Sequence, residues 1–260
     1  MDWGAALSDV DAVVHLAARV HVMREVVADP LAEFRRTNVL GTENLARQAA
    51  AAGIRRFVLL SSIKVNGESG ICSESNVNAP KDDYAVSKHE AELSLARIAA
   101  DSRMEFVVIR PPLVYGPGVE GNFRSLMRAV DRGVPLPFGA IDNRRSLVGL
   151  DNLVDFIAIC LRHPAAGNQT FLVSDGEDLS TADLVRRLAR EMGRPARLIT
   201  VPAGLLSFAA ALLNRRDVAR RLIGSLQVNT SKASAVLGWK PLISVDEGLR
   251  RAVATVAKSA

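Results

Sequence analysis

The chain has 260 residues, 48% hydrophobic and 23% charged, enough for one large α/β domain or a domain with a smaller appended lobe. This composition excludes a disordered chain, a collagen-like repeat and a small disulfide scaffold; two cysteines, Cys72 and Cys160, form no framework and fit a reducing, cytoplasmic setting. The net charge of +5 falls mostly on arginine, 27 Arg against 6 Lys, with a sequence pI near 9.6.

In chain order, Asp11–Ala17 is a short apolar run and predicts a buried strand. Pro30–Ala52 predicts a long helix stopped by Gly53. Arg56–Ser61 predicts a second buried strand, and Asn66–Lys81, rich in Gly, Ser, Asn and Glu, predicts a loop. Asp82–Asp101 predicts a helix with Ala85, His89, Leu93 and Ile98 near one stripe. Glu105–Arg110 predicts a third strand, ended by Pro111-Pro112. Continuous apolar strands separated by helices predict a parallel sheet covered on both faces.

The second half alternates more loosely. A turn over Gly116–Gly121 precedes a helix at Asn122–Arg132, strand-like pieces at Ser146–Val148 and Gln169–Val173, and four helical stretches toward the end. This looser half reads as a substrate lobe over 121–260, interleaved with the last strands of the 1–120 domain. The apolar stretch Val201–Leu213 falls short of the roughly 18 to 20 residues that span a bilayer and reads as a lobe helix or a subunit contact. Asp2, Asp9 and Asp11 interrupt the start, which does not read as a signal peptide. Arg186–Arg221 holds nine Arg against Glu191 and Asp217. A solvated helix face, a site for ligand phosphates and a nucleic-acid patch all fit that density, but no interleaved aromatics or zinc-ligand spacing support nucleic acid.

The sharpest chemical feature is Tyr84-Ala-Val-Ser-Lys88. Positions i and i+4 share one helix face, so a phenol and an ammonium stand side by side. The cation is expected to lower the phenol's pKa toward neutrality, so that Tyr84 can take a proton from a hydroxyl while hydride leaves the same carbon. Ser61-Ser62 closes a strand, where parallel sheets bind ligands, and a serine there can hold the reacting oxygen; a turn cap is the plainer role. His15 and His21 read as structural, and no His/Cys/acid cluster has metal-ligand spacing.

Six segments then occur in one order: Val13-Val-His-Leu-Ala-Ala18, Asn38-Val-Leu-Gly-Thr42, Ser61-Ser-Ile-Lys-Val-Asn-Gly67, Tyr84-Ala-Val-Ser-Lys88, Arg110-Pro-Pro-Leu-Val-Tyr-Gly-Pro-Gly118 and Arg145-Ser-Leu-Val-Gly-Leu-Asp-Asn152. Together they resemble the extended short-chain dehydrogenase/reductases, in the NAD-dependent nucleotide-sugar epimerase/dehydratase branch. The resemblance is strongest to UDP-glucose 4-epimerase-like proteins of surface-polysaccharide (lipopolysaccharide) loci, which include reductases of the UDP-N-acetylquinovosamine type. It implies a Rossmann-like doubly wound sheet, NAD or NADP as cofactor (NAD favoured), a nucleotide-sugar substrate, and a homodimer formed through Leu31–Ala51 and Asp83–Ala100. It implies no nucleic acid, membrane or metal.

The roles it implies are specific. Tyr84 is the acid/base, Lys88 lowers its pKa and holds the nicotinamide ribose, and Ser62 orients the sugar oxygen. Leu16, Ala17, Ala18, Asn38, Ser61 and Pro111 line the cofactor. Asn122 and Arg145 contact the nucleotide diphosphate, with Arg221 or Arg220 as a second cation.

Two departures concern the substrate. Asn66 stands where many relatives have tyrosine, and Leu113 stands where 4-epimerases often carry a polar residue. The family also opens with a strand and a G-x-x-G-x-x-G turn, but only Gly4 precedes Val13. The resemblance therefore implies a partial dinucleotide-binding domain over 1–120, its sheet lacking the first βα units, and a chain truncated at its start, with a misassigned start codon as the simplest cause and a true deletion as the alternative. Two functions follow: a C4 epimerase or reductase using a nicotinamide cofactor, or a non-catalytic binding protein on the same fold.

Overall fold

The structure, a computed structural model, describes residues 1–20, 29–212 and 222–256. Its strands in chain order are β1 (Ala12–His15), β2 (Arg56–Leu60), β3 (Gly70–Cys72), β4 (Glu105–Arg110), β5 (Leu113–Tyr115), β6 (Arg145–Gly149), β7 (Gln169–Leu172), β8 (Asp178–Leu179) and β9 (Leu226–Val228). The longer helices are α1 (Pro30–Ala51, in three segments), α2 (Asp83–Ala100), α3 (Gly121–Asp131), α4 (Leu150–Arg162), α5 (Thr181–Glu191) and α6 (Ala203–Leu212). Two more follow, Ser231–Leu237 and Val245–Val256, so four helices lie beyond β7 among the described residues.

A four-stranded parallel sheet runs in the order β1-β2-β4-β7. Alternation along its strands sends side chains to two different cores. Phe57, Leu59 and Val108 meet Leu45, Ala46, Ala91, Leu95 and Ile98 from α1 and α2. Val58, Val107, Ile109 and Phe171 meet Leu153, Phe156 and Cys160 of α4, with Trp239 closing the cluster. Helices thus cover both faces, as the unbroken apolar runs predict, and the sheet is doubly wound. At the β1 edge, Ala12, Val13 and Val14 are only half-buried.

A second sheet runs β3-β9-β6-β5, with β8 antiparallel to β6. It carries a third core, in which Phe123, Met127, Val185, Leu188, Leu249 and Val253 from three helices pack over Tyr115 and Leu147. The two sheets exchange chain: β3 comes from the first half and β7 from the second.

Several elements differ from expectation. The 66–81 loop contains β3, which pairs with β9; its three residues are too few to show a periodicity. β5 follows directly on Pro111-Pro112, because the prolines end one strand without ending extended backbone. Leu150–Arg162, not assigned from sequence, is helix α4. The long helix has a π-helical segment at Arg35–Leu40, flanked by α-helical Pro30–Phe34 and Gly41–Ala51.

Candidate active site

Because the main sheet is parallel, its strands all end on one side, and those ends carry the candidate residues. Leu16 and Ala17, after β1, are exposed and Ala18 is half-buried. Ser61 and Ser62 follow β2. Pro111 follows β4, is buried, and accepts the Ile63 N–H at 3.0 Å. Ser62 caps a short turn over Ile63–Val65, its Oγ accepting the Lys64 N–H at 3.3 Å. The predicted cap role is therefore real and coexists with a position beside Tyr84.

Tyr84 lies in the first turn of α2. Asp82 caps that helix, its Oδ1 accepting the Ala85 N–H at 2.8 Å, so the phenol's place is fixed by an N-terminal cap. Phe34 packs edge-on to Tyr84 with ring centroids 6.2 Å apart, and the Arg19 guanidinium lies 5.5 Å over Phe34.

The electrostatics differ from the simple expectation for Tyr84. Burial pushes the phenol above its ordinary value; the neighbouring Ser62 hydroxyl pulls it down and the Asp82 carboxylate pushes it up. Lys88 is not among the groups acting on it, so the expected lowering by that cation is not found in this structure. The reason is that burial also penalises Lys88, which is 1% exposed and drawn down to about 8, with Glu92 holding it up. Among the described residues the Lys88 ammonium has no hydrogen-bond partner.

Asn38 sits in the π-helical segment and is 1% exposed. Its Oδ1 accepts the Arg19 N–H at 2.7 Å; its Nδ2 donates to the Arg19 carbonyl at 3.0 Å and to Ser87 Oγ at 2.9 Å. The amide thus clamps the segment after β1 to α2. Thr42 Oγ1 donates to the Asn38 carbonyl at 2.6 Å and meets His15 Nε2 at 3.0 Å. Burial, then the Lys88 charge, holds His15 down to about 4, so it is neutral near pH 7 and structural, as expected.

Ser61 turns away from the cleft. Its side chain is buried and donates to Glu92, and its N–H is bound to the Ile109 carbonyl at 2.7 Å. Any contact with a cofactor from Ser61 would come from its carbonyl. Asn66, the departure from the family pattern, is buried beneath the site: its Oδ1 accepts from Arg110 at 2.9 Å and its Nδ2 donates to the Ser73 carbonyl at 2.9 Å.

The substrate-side candidates lie in the second lobe. Asn122 is exposed in the first turn of α3. Arg145 begins β6 and donates to the Gly224 carbonyl at 3.0 Å. Arg220 and Arg221 lie outside the described residues, as does His21. In the arginine-rich stretch, Arg186, Arg187, Arg190 and Arg194 pair with Asp183, with Glu177 and Asp246, with Glu191 and Asp246, and with Asp131. That part is a solvated, charge-paired face. Both cysteines are buried free thiols. Among the described residues no helix is long and apolar enough to cross a membrane.

Sequence reasoning reached Ser62, Tyr84, Lys88 and Asn38, and the structure gathers them at the sheet's carboxyl edge. It missed Phe34, Glu92 and Arg110. Glu92 had a signal, since it stands four residues beyond Lys88 on the same helix face.

Comparison with known proteins gives the family and the fold. The model of the NAD dependent epimerase/dehydratase family matches residues 2–174. A UDP-glucose 4-epimerase of Vibrio cholerae is 49% identical over 256 residues, 96% of this chain and 78% of that protein. The structure of a UDP-glucuronic acid 4-epimerase from Bacillus cereus in complex with NAD superposes with a TM-score of 0.79 at 20% identity, covering 99% of this chain and 78% of that one. RMD from Pseudomonas aeruginosa, complexed with NADPH, gives 0.77 at 23% identity, covering 97% and 83%. At these identities the two structures establish the doubly wound fold.

Proposed function

The chain belongs to the NAD dependent epimerase/dehydratase family, and on that premise we propose that it is a nucleotide-sugar 4-epimerase whose chemistry rests on Ser62, Tyr84 and Lys88. The observation that carries the assignment is the convergence of a strand-end serine, a capped helix tyrosine and a buried lysine at one sheet edge.

The residues present fit a nicotinamide cofactor, NAD or NADP. A buried ammonium without a hydrogen-bond partner among the described residues suits ribose hydroxyls, and the Leu16–Ala18 segment, clamped by Asn38, gives a fixed backbone for the cofactor to lie along. When bound, the cofactor supplies a hydride acceptor and donor at C4 of the sugar.

The protein's own share is proton handling and orientation. Ser62 Oγ holds the 4-oxygen. Tyr84 Oη removes the 4-hydroxyl proton as the carbonyl forms and returns it to the alkoxide when the opposite face of C4 is reduced. Lys88 holds the ribose. Burial holds the Tyr84 phenol above its ordinary value, so a positive charge brought beside it on binding is what would favour the phenolate. Asn122, Arg145 and Arg221 are assigned to the nucleotide diphosphate, for which a planar guanidinium is well suited.

The lobes divide near residue 120, with β3 and β7 exchanged between them. The enzyme works in the cytoplasm as a homodimer joined through α1 and α2, where Leu40 and Leu93 are 58% and 52% exposed. Assays with UDP-glucose and UDP-N-acetylglucosamine, with and without NADPH, test the assignment. An epimerase turns over without added NADPH, whereas a reductase consumes it. NAD binding without turnover would instead indicate a binding protein.

A further inference from the structure

A buried polar cluster lies directly beneath the site, and the proposed chemistry does not use it. The carboxylate of Glu92, on α2 one turn beyond Lys88, is 6% exposed and meets three donors. Arg110 Nε and Nη2 bind its two oxygens at 3.0 and 2.5 Å, and the Ser61 hydroxyl donates to Oε1. Arg110 is itself 5% exposed and ends β4, immediately before Pro111. Its remaining amino group donates to Asn66 Oδ1 and Asn78 Oδ1, each at 2.9 Å. One carboxylate therefore ties together the end of β2, the end of β4 and the helix bearing Tyr84 and Lys88.

This is more than a structural staple. A pair of opposite charges buried out of water gains little stability over an apolar pair of the same volume, so its placement calls for another account. Glu92 sits where a single side chain can fix Ser62, through its neighbour Ser61, relative to Lys88, through their shared helix. We propose that Glu92 is a positioning residue of this site, locking the strand end that carries Ser62 to the helix face that carries Tyr84 and Lys88, and supplying the negative charge that Lys88 faces. The inference rests on the enzymatic reading given above for the roles of Ser62 and Lys88.

The electrostatics are consistent with that placement. Burial pushes the Glu92 carboxyl up, but the groups around it outweigh this and hold it below the usual range. They are His89, whose Nδ1 lies 3.9 Å from Oε2, together with Arg110 and Ser61. Around Lys88 the titratable groups are His15 from β1, neutral above about pH 4, and Tyr84 and Glu92 from its own helix. Among the described residues Glu92 is the anion acting on Lys88, and it favours the ammonium.

The test reads Lys88 directly and needs neither substrate nor turnover. The full chain is labelled with ¹⁵N-lysine, and the Lys88 Nζ resonance, identified by its loss in Lys88→Met, is titrated. In wild type it is expected to titrate at about 8. In Glu92→Gln, which keeps the shape and an acceptor for Ser61, it should titrate about one unit lower, and NADH affinity at pH 8 should fall about tenfold. Glu92→Asp should restore the titration but not the full affinity, because the shorter side chain keeps the charge and loses the reach to Ser61. If Glu92→Gln fails to fold, Arg110→Met provides the opposite sign: with its competing cation gone, Glu92 should move Lys88 upward. An unmoved Lys88 in a folded Glu92→Gln or Arg110→Met chain overturns the proposal. That outcome leaves the enzymatic reading intact, whereas turnover that survives Tyr84→Phe would sink that reading without moving Lys88.

Discussion

Lys88 shows what the site costs the fold. Its ammonium is nearly inaccessible and titrates at about 8 rather than the ordinary 10.5. Between those values the unfolded chain binds the proton and the native chain does not, so this group's contribution to stability rises with pH across that window. Below it both states are protonated and the full penalty of burying the charge stands, about 3 kcal/mol at roughly 1.4 kcal/mol per unit. Lys88→Met, which fills the same space without a charge, is therefore expected to gain up to about 3 kcal/mol at pH 7 in urea denaturation and to lose NADH binding. A variant that is destabilised at pH 7 would show that Lys88 has a structural partner. The tyrosine teaches a related lesson. The Y-x-x-x-K spacing placed phenol and ammonium on one face, but spacing carries no information on burial, and burial decides the sign of the Tyr84 shift.

At the scale of elements, the sequence was most legible where a pattern ran long. The helix expected at Asp82–Asp101 forms at Asp83–Ala100, because Asp82 is a good cap, but the expected stripe is not its buried face: Leu93 is exposed, whereas Ala91, Leu95, Ile98 and Ala99 are buried. The strands Arg56–Leu60 and Glu105–Arg110 emerged from continuous apolar runs. What could not be read was short or depended on distant partners. β3 exists because β9, far along the chain, offers it an edge. The π-helical turn at Asn38 leaves no periodic trace in the sequence, yet it marks where the helix gives up regular bonding to place one amide against the β1 loop and α2. Close packing in the second lobe gives a sharper test. A Cβ at Gly248, in the last helix, would stand 2.7 Å from Tyr115 Oη. That hydroxyl is held by Asp175 at 2.7 Å and the Val245 carbonyl at 3.2 Å, so it cannot retreat. Gly248→Ala should cost about 1–3 kcal/mol by chemical denaturation. An unchanged midpoint would mean that the helix shifts freely over β5.

Across the whole molecule, function depends on two sheets brought together by exchanged strands. The proposed chemistry lies at the main sheet's carboxyl edge, and Asn122 and Arg145, proposed for the nucleotide, belong to the second lobe. The family and its fold class were readable from six ordered motifs, because those motifs are the strand ends and helix faces that the chemistry needs. The buried Glu92–Arg110 cluster was not, because a contact between β4 and α2 has no local signature. Association is testable at this scale too. Sedimentation should give a dimer, and Leu93→Arg on the α2 face should give a folded monomer; a wild-type monomer would refute the assigned contact.

The most direct test of the central claim is product analysis after incubating the purified chain with NAD and UDP-glucose. Conversion to the C4 epimer is expected without net accumulation of NADH, and Tyr84→Phe should lower the rate by about 10³-fold. Conversion that is unchanged in Tyr84→Phe, or NAD bound tightly with no conversion of UDP-glucose or UDP-N-acetylglucosamine, would contradict the account.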